Sequence, residues 1–241
     1  MILKNCAFLV TQNPKRQVLE GFDVKIEEGK ITEISRKIEG CGEEAIDCSK
    51  KIVLPSFINL HTHLAMGLLR GHEDDRDLQS WLNEIWKAEA KMGDREYYAG
   101  SKFACLEMIK SGTSAFLDMY FGEKNTGIAA KEAGLRAFLG EGVFDFFDPK
   151  KTDPMFSNLE EFIKQCQKIR GALVTPVVAA HSGYTCSKEL LLGAKDVAKK
   201  HGLLYTMHLS ETRKEVYDTK KKPECAPSST STASGLSTRS S

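Results

Sequence analysis

The spacing of apolar residues along the chain changes character near residue 50. Before that point short alternating or apolar runs cover residues 6–10, 18–26 and 30–34, with a turn at Glu28-Gly29-Lys30. This pattern predicts a meander of short antiparallel strands. From Ile52 onward, strand-like runs alternate with stretches of helical length and amphipathic spacing. Strands are expected over 52–60, 114–119, 136–143, 173–180 and 203–209. Between them, 78–109 should form two helices, and 127–133, 159–169 and 188–201 one each. Apolar strands separated by helices indicate a parallel sheet covered on both faces. Five such β/α units fit either an open sheet or part of an eight-unit barrel, and periodicity does not choose between them.

A third regime begins at Pro223, where ten of the nineteen residues to Ser241 are Ser or Thr and Leu236 is the only large aliphatic. Such a segment buries too little apolar surface to offset the entropy of ordering it, so a disordered tail is expected over 221–241. The domain reading is therefore 1–51 for the N-terminal strands, 52–220 for the β/α region and 221–241 for the tail. The change in composition is abrupt, following a segment that reads as the start of an amphipathic helix. A shifted reading frame would produce that pattern, and a natural polar tail is the alternative.

Over its 241 residues the chain is 41% hydrophobic and 28% charged, the composition of a globular protein. Lys plus Arg number 34 and Asp plus Glu 33, giving a formal charge of +1. A protein that binds nucleic acid by neutralising phosphates carries a clear basic excess, so that class is not expected. No apolar run reaches the roughly 20 residues of a membrane span, and Lys4 and Asn5 interrupt the N-terminal apolar stretch, which argues against a signal peptide. Seven cysteines without a CxxC pair read as reduced thiols of a cytoplasmic protein.

Candidate chemistry sits where strands are expected to end. His61 and His63 lie two apart after the run 52–60, so on a strand their imidazoles point the same way. Parallel α/β sheets and barrels carry their sites at the C-terminal strand ends. Two imidazoles suit a divalent metal, zinc first, with iron or manganese as alternatives; the plain alternative is two structural histidines. His208 ends the run 203–209 and could supply a third imidazole. Glu211 follows, where a carboxylate can move protons for a water acidified by a metal, or can simply favour a helix N-terminus. His181 follows the run 173–180 in the same way. Four of six histidines thus fall at expected strand ends, which favours a metal site over coincidence. Asp118 ends its strand and either faces the site or caps the next helix. Trp81 and Trp86 read as packing residues. No GxGxxG, GxxxxGK[ST] or GxSxG occurs, so dinucleotide, P-loop and serine-elbow chemistries find no support.

As a set, these residues resemble a known family. Leu54-Pro55-Ser56-Phe57-Ile58-Asn59-Leu60-His61-Thr62-His63 is similar to the opening barrel strand of the amidohydrolase superfamily. Leu69-Arg70-Gly71, Trp81-Leu82, Ile85-Trp86 and Glu89 resemble its methylthioadenosine/S-adenosylhomocysteine deaminase and chlorohydrolase branch. Asp118-Met119-Tyr120, His181-Ser182 and His208-Leu209-Ser210-Glu211-Thr212 follow in that branch's order. The resemblance implies an α/β fold, a partial metal-dependent-hydrolase TIM barrel of about five of eight β/α units, preceded by N-terminal strands of a small β-sandwich. It implies His61, His63 and His208 as ligands of one divalent metal, Glu211 as proton shuttle, and Glu89 and His181 as substrate contacts. The implied reaction is hydrolytic deamination of a purine nucleoside derivative, a small-molecule substrate, with no nucleic acid or membrane partner and a homo-oligomer as an option. In the family a further His after the sixth strand and an Asp ending the eighth complete the site, and neither is expected in this chain. Glu141 stands where some members carry an Arg for a substrate carboxylate. Competing expectations are a catalytically dead fragment that at most binds metal and a related guanine- or triazine-type aminohydrolase. Open strand edges on the first and fifth barrel strands are expected to promote aggregation or association.

Overall fold

The computed structural model describes residues 1–40, 42, 44–169 and 173–221, so the Ser/Thr-rich tail lies outside the described residues. The chain divides into two compact units, Met1–Phe57 and Ile58–Ser241.

Among the described residues the first unit holds seven short strands: β1 Ile2–Cys6, β2 Phe8–Val10, β3 Val18–Leu19, β4 Phe22–Glu27, β5 Lys30–Ser35, β6 Ala45–Asp47 and β7 Ile52–Val53. They form a four-stranded sheet in the order β5-β4-β1-β6 and a three-stranded sheet in the order β3-β2-β7. The expected β4–β5 hairpin turns at Glu28 and Gly29, with φ of 49° and 75°. Two consecutive positive φ values match the right-handed strand twist of a two-residue hairpin, and glycine supplies one of them at no steric cost. The meander is not purely antiparallel, because β6 joins β1 and β7 joins β2 in parallel. Cys6, Leu9, Val24 and Cys48 form this unit's core.

The expected strand over 52–60 is in fact two. Pro55 has no N–H to give a ladder and restricts the residue before it. The run therefore breaks into β7, which pairs within the first unit, and β8, Phe57–Thr62, which belongs to the barrel sheet. That pairing puts the boundary between compact units after Phe57, where the sequence reading drew it at 51/52.

The second unit continues with a 3-10 turn over Ala65–Leu69, α1 Leu78–Glu89, α2 Asp94–Lys110, β9 Thr113–Tyr120, α3 Glu123–Ala133, β10 Arg136–Val143, α4 Pro149–Lys168, β11 Val174–Pro176, β12 Val178–Ser182, α5 Lys188–His201, β13 Tyr205–His208 and α6 Arg213–Lys221. Its sheet runs β8-β9-β10-β12-β13, with β11 also pairing β10. The β9–β10, β10–β12 and β12–β13 pairs are parallel. This is a half barrel of five strands alternating with helices: the alternation follows the sequence pattern, and the barrel is the form that the resemblance implied. The expected strand 173–180 is split by Pro176 into β11 and β12. Helix α4 starts ten residues earlier than its apolar spacing suggested, because Asp148 caps it and Pro149 opens it.

Buried apolar side chains lie between sheet and helices. Phe116, Ala137 and Leu139 pack with Cys105, Met108 and Phe162, and Val143, Val178 and Ala180 pack with Leu159, Leu190 and Ala194. The end strand β8 is different: Ile58 and Leu60 are 63% and 74% exposed. No described helix is long and apolar enough to cross a membrane, and the five described cysteines are buried free thiols.

Candidate active site

Four histidines meet at the C-terminal ends of the barrel strands. His61 lies in β8 and His63 just after it. His181 is in β12, and His208 closes β13. The rings of His61 and His63 are 4.9 Å apart, those of His61 and His208 5.0 Å, and those of His181 and His208 5.0 Å. One ligand nitrogen from each of His61, His63 and His208 falls within 4.8 Å of the other two.

Hydrogen bonds fix which nitrogens face the centre. His63 turns Nδ1 to the Met119 carbonyl, and His208 turns Nδ1 to the His181 carbonyl at 3.0 Å. A ring that donates from Nδ1 presents Nε2 as a lone pair. The two Nε2 atoms then face each other at 3.3 Å. Nitrogens about 2.0–2.1 Å from a tetrahedral zinc lie about 3.4 Å apart, so this spacing suits a shared ion. Burial pushes His63 down to about 4, with His208 and His61 adding to the effect. Burial, then the neighbouring His208, also lowers His61. Neutral imidazoles are the form that binds metal, so the donor set fits a divalent cation.

His181 is set apart from this trio. Its Nδ1 meets Thr185 Oγ1 at 2.8 Å and Ser182 Oγ at 3.2 Å. Burial, then His208 and His63, pushes it to about 4. Among the described residues its Nε2 has no protein partner, and the ring lines the cavity.

Glu211 is brought to the same cavity by local chain geometry. After β13, Ser210 adopts φ 56°, which turns the chain sharply. Thr212 and Glu215 then cap α6: Thr212 Oγ1 accepts from Glu215 N at 3.0 Å, and the Glu215 carboxylate accepts from Glu211 N at 2.7 Å. The Glu211 side chain accepts the Tyr184 hydroxyl proton at 2.9 Å. Tyr184 itself is raised by burial and by that bond, so it stays a neutral donor. Sequence reasoning passed over Tyr184; its place three residues after His181 was the available signal.

Glu89 arrives from α1. Asp77 caps that helix through Gln79 N, Ser80 N and the Ser80 hydroxyl, and Leu82, Ile85 and Glu89 share its buried stripe. A carboxyl on an apolar stripe costs free energy unless it has a partner. Its partner is Tyr120, whose hydroxyl donates at 2.6 Å, and burial raises Glu89. The apolar wall comes from Met66, Leu78, Trp81, Leu82, Ile85 and Trp86, with Phe121 and Tyr120 opposite. Trp81 and Trp86 therefore line the cavity besides packing. Glu141, half-buried in β10, reaches the start of α3, accepting from Gly122 N at 3.0 Å and Glu123 N at 2.9 Å. Gly122 is required there, since φ is 64° and a Cβ would lie 2.3 Å from Tyr97.

Asp118 neither faces the cavity nor caps the following helix. Its two carboxylate oxygens accept from Leu64 N at 3.0 and 3.2 Å. Glu123 lies beside it, fully buried. Burial raises Asp118 to about 7; burial, then the charges of Asp118 and Glu141, holds Glu123 well above the ordinary range.

A parallel β/α half barrel with clustered imidazoles at its strand ends defines a class of metal-dependent hydrolase architecture. The family model for the amidohydrolase family matches residues 52–235. The chain belongs to the amidohydrolase family. It is 40% identical over 229 residues to a 5'-deoxyadenosine deaminase of Methanosphaera stadtmanae, covering 94% of this chain and 52% of that protein. It is 41% identical over 219 residues to a 5-methylthioadenosine/S-adenosylhomocysteine deaminase of Thermodesulfovibrio yellowstonii, covering 87% and 49%. Among solved structures, a zinc-bound adenosine deaminase from Xanthomonas campestris superposes with a TM-score of 0.77 at 25% identity, over 92% of this chain and 52% of that one. The chain thus spans about half the length of these relatives.

Proposed function

We propose that this site is a single-metal aminohydrolase centre that deaminates the ring of an adenosine derivative. The observation that carries the reading is the 3.3 Å approach of His63 Nε2 and His208 Nε2, each turned inward by a bond at Nδ1, with His61 beside them. Relatives named as deaminases of 5'-deoxyadenosine and methylthioadenosine/S-adenosylhomocysteine support the substrate class, a small purine nucleoside derivative. The zinc of the Xanthomonas campestris structure supports zinc as the ion, with iron or manganese as the other candidates.

His61, His63 and His208 would hold the ion. When bound, it supplies Lewis acidity that brings the pKa of water toward ~7. Glu211, held by Tyr184, takes the proton from the attacking water and delivers it to the departing amine. His181 presents Nε2 to the substrate ring, and Glu89, steadied by Tyr120, accepts hydrogen bonds from its polar substituents. The wall of Trp81, Leu82, Ile85 and Trp86 excludes water and stacks against an apolar ring system. The exposed Ile58 and Leu60 on β8 support association of the chain through that strand.

Ammonia release across a panel of purine nucleosides tests this reading. Release from 5'-deoxyadenosine or methylthioadenosine, reduced at least ~100-fold in Glu211→Gln with zinc content unchanged, is the expected result. Zinc binding without release from any purine would reduce the reading to a metal-binding protein, and release from guanine or triazines alone would redirect it.

A further inference from the structure

Three acids, two buried and one half-buried, stand near the histidine cluster, and none of them lines its cavity. Asp118 and Glu123 are 0% exposed. Glu141 is committed to the backbone N–H groups that open α3. Glu123 differs from both, because its carboxyl oxygens meet no donor at close hydrogen-bonding geometry among the described residues and have only the neighbouring Asp118 and Thr126 side chains beside them. A buried acid without partners costs free energy, and it is tolerated in the neutral form. Asp118 is the neighbour on which a neutral Glu123 bears.

Asp118 reaches forward to the turn that carries His63. Both of its oxygens accept from the amide of Leu64, the residue directly after His63. The next residue of β9, Met119, offers the carbonyl that receives His63 Nδ1. Two adjacent residues of one strand therefore hold the backbone and the ring of one histidine. Leu64 is itself 2% exposed and packed into the core with Phe116, so this turn has little freedom elsewhere.

We propose that Asp118 is a positioning residue for the metal site, fixing the His63 backbone so that Nδ1 meets Met119 and Nε2 faces His208, with Glu123 as the buried acid that backs it. The proposal rests on reading His61, His63 and His208 as ligands. It extends that reading to residues that touch neither metal nor substrate. Partners behind metal-ligating histidines commonly change metal affinity 10–100-fold when removed.

The test compares two substitutions in the full chain. Asp118→Leu keeps the branched shape, though with more bulk, and removes the acceptor, while Asp118→Asn keeps both the volume and an oxygen for Leu64 N–H. Zinc chloride titrated into chelator-stripped protein, followed by calorimetry, should bind ~10–100-fold more weakly to the Leu variant. The Asn variant should recover most of the affinity. Long-range 1H–15N spectra of the imidazoles should show His63 protonated at Nδ1 in wild type and Asn, and as a tautomer mixture in Leu. Wild-type affinity and an unchanged His63 tautomer in Asp118→Leu would overturn the proposal. If that variant does not fold, the wild type decides: a Leu64 amide that exchanges freely, or a His63 protonated at Nε2, is incompatible with the proposal. Absence of zinc binding in wild type would instead refute the ligand reading, and the tautomer comparison would still judge Asp118.

Discussion

Two buried aspartates in the same half barrel, Asp118 at the end of β9 and Asp145 just after β10, live under opposite electrostatics. Both are 0% exposed. Burial alone would raise Asp145, but bonds from Ser187 N at 2.8 Å, Ser187 Oγ at 2.5 Å, Phe147 N at 3.0 Å and Thr152 Oγ1 at 2.9 Å outweigh it and lower its pKa. Deep burial raises Asp118 and outweighs the bonds from the Leu64 amide, the Glu123 carboxyl and the Met119 amide that draw it down. Equal solvent exposure therefore does not imply equal charge: Asp118 lies much deeper within the protein than Asp145, and its desolvation is correspondingly larger. Asp145 is an anion that ties α5 to the loop after β10, including Phe146 and Phe147, which hold φ of 51° and 61°. Such left-handed residues persist only where the surroundings over-determine them. Asp118 instead sits in an acid cluster beside the turn that carries His63, the kind of environment that recurs near functional centres.

The largest expected effect follows from removing the anion. Asp145→Ala leaves two backbone donors and two hydroxyls without their acceptor and frees the Phe146–Phe147 turn. A loss of about 3 kcal/mol in unfolding free energy is expected from urea denaturation. A loss below ~1 kcal/mol would remove the distinction between the two sites.

The second test concerns pH. Asp145, with a depressed folded pKa, stabilises above the unfolded carboxylate value of ~3.9 and loses that contribution as pH falls through its lower folded value. Asp118, raised to about 7, behaves oppositely. Its contribution is full below ~3.9 and disappears as pH rises through about 7. The melting temperature of Asp118→Asn relative to wild type should therefore climb between pH 5 and pH 8. Glu141 is unchanged between the two proteins, whereas Glu123 is raised by burial and in part by the Asp118 charge, so Asp118→Asn also relieves Glu123 and adds to the climb in the same direction. A flat or falling difference would show that Asp118 is not raised.

The smallest effect is expected for Ser187→Ala. It deletes the hydroxyl bond to Asp145 and the side-chain cap of α5 but keeps Ser187 N as a donor. A cost of about 1 kcal/mol would follow in the same denaturation experiment. A cost equal to that of Asp145→Ala would mean that α5 capping, not the anion, holds the loop.

The same contrast explains what could be read from the chain. Helix α5 and strand β10 were legible to the residue because their apolar periods are uninterrupted and capped by Ser187 and Gly202 or bounded by turns. Strand β8 was misjudged at its start because hydrophobicity does not record the ladder bond that Pro55 cannot make. The clustering of His61, His63, His181 and His208 was visible because strand ends of a parallel sheet converge whatever the loops do. Glu89 was marked only by the family resemblance; its place on the buried stripe of α1 became clear from the structure. The roles of Asp118, Tyr120 and Tyr184 were not visible, since each depends on a partner far along the chain: Leu64, Glu89 and Glu211 respectively. Asp118 and Asp145 look alike in sequence, and their depth in the fold and their donors distinguish them.

Zinc stoichiometry of the purified full chain tests the central claim most directly, measured by elemental analysis after chelator treatment and reloading. One zinc per chain is expected in wild type, with binding lost in the His61→Ala/His63→Ala double variant at unchanged far-ultraviolet circular dichroism. A wild-type chain that retains no zinc, or a double variant that retains it undiminished, would contradict the account.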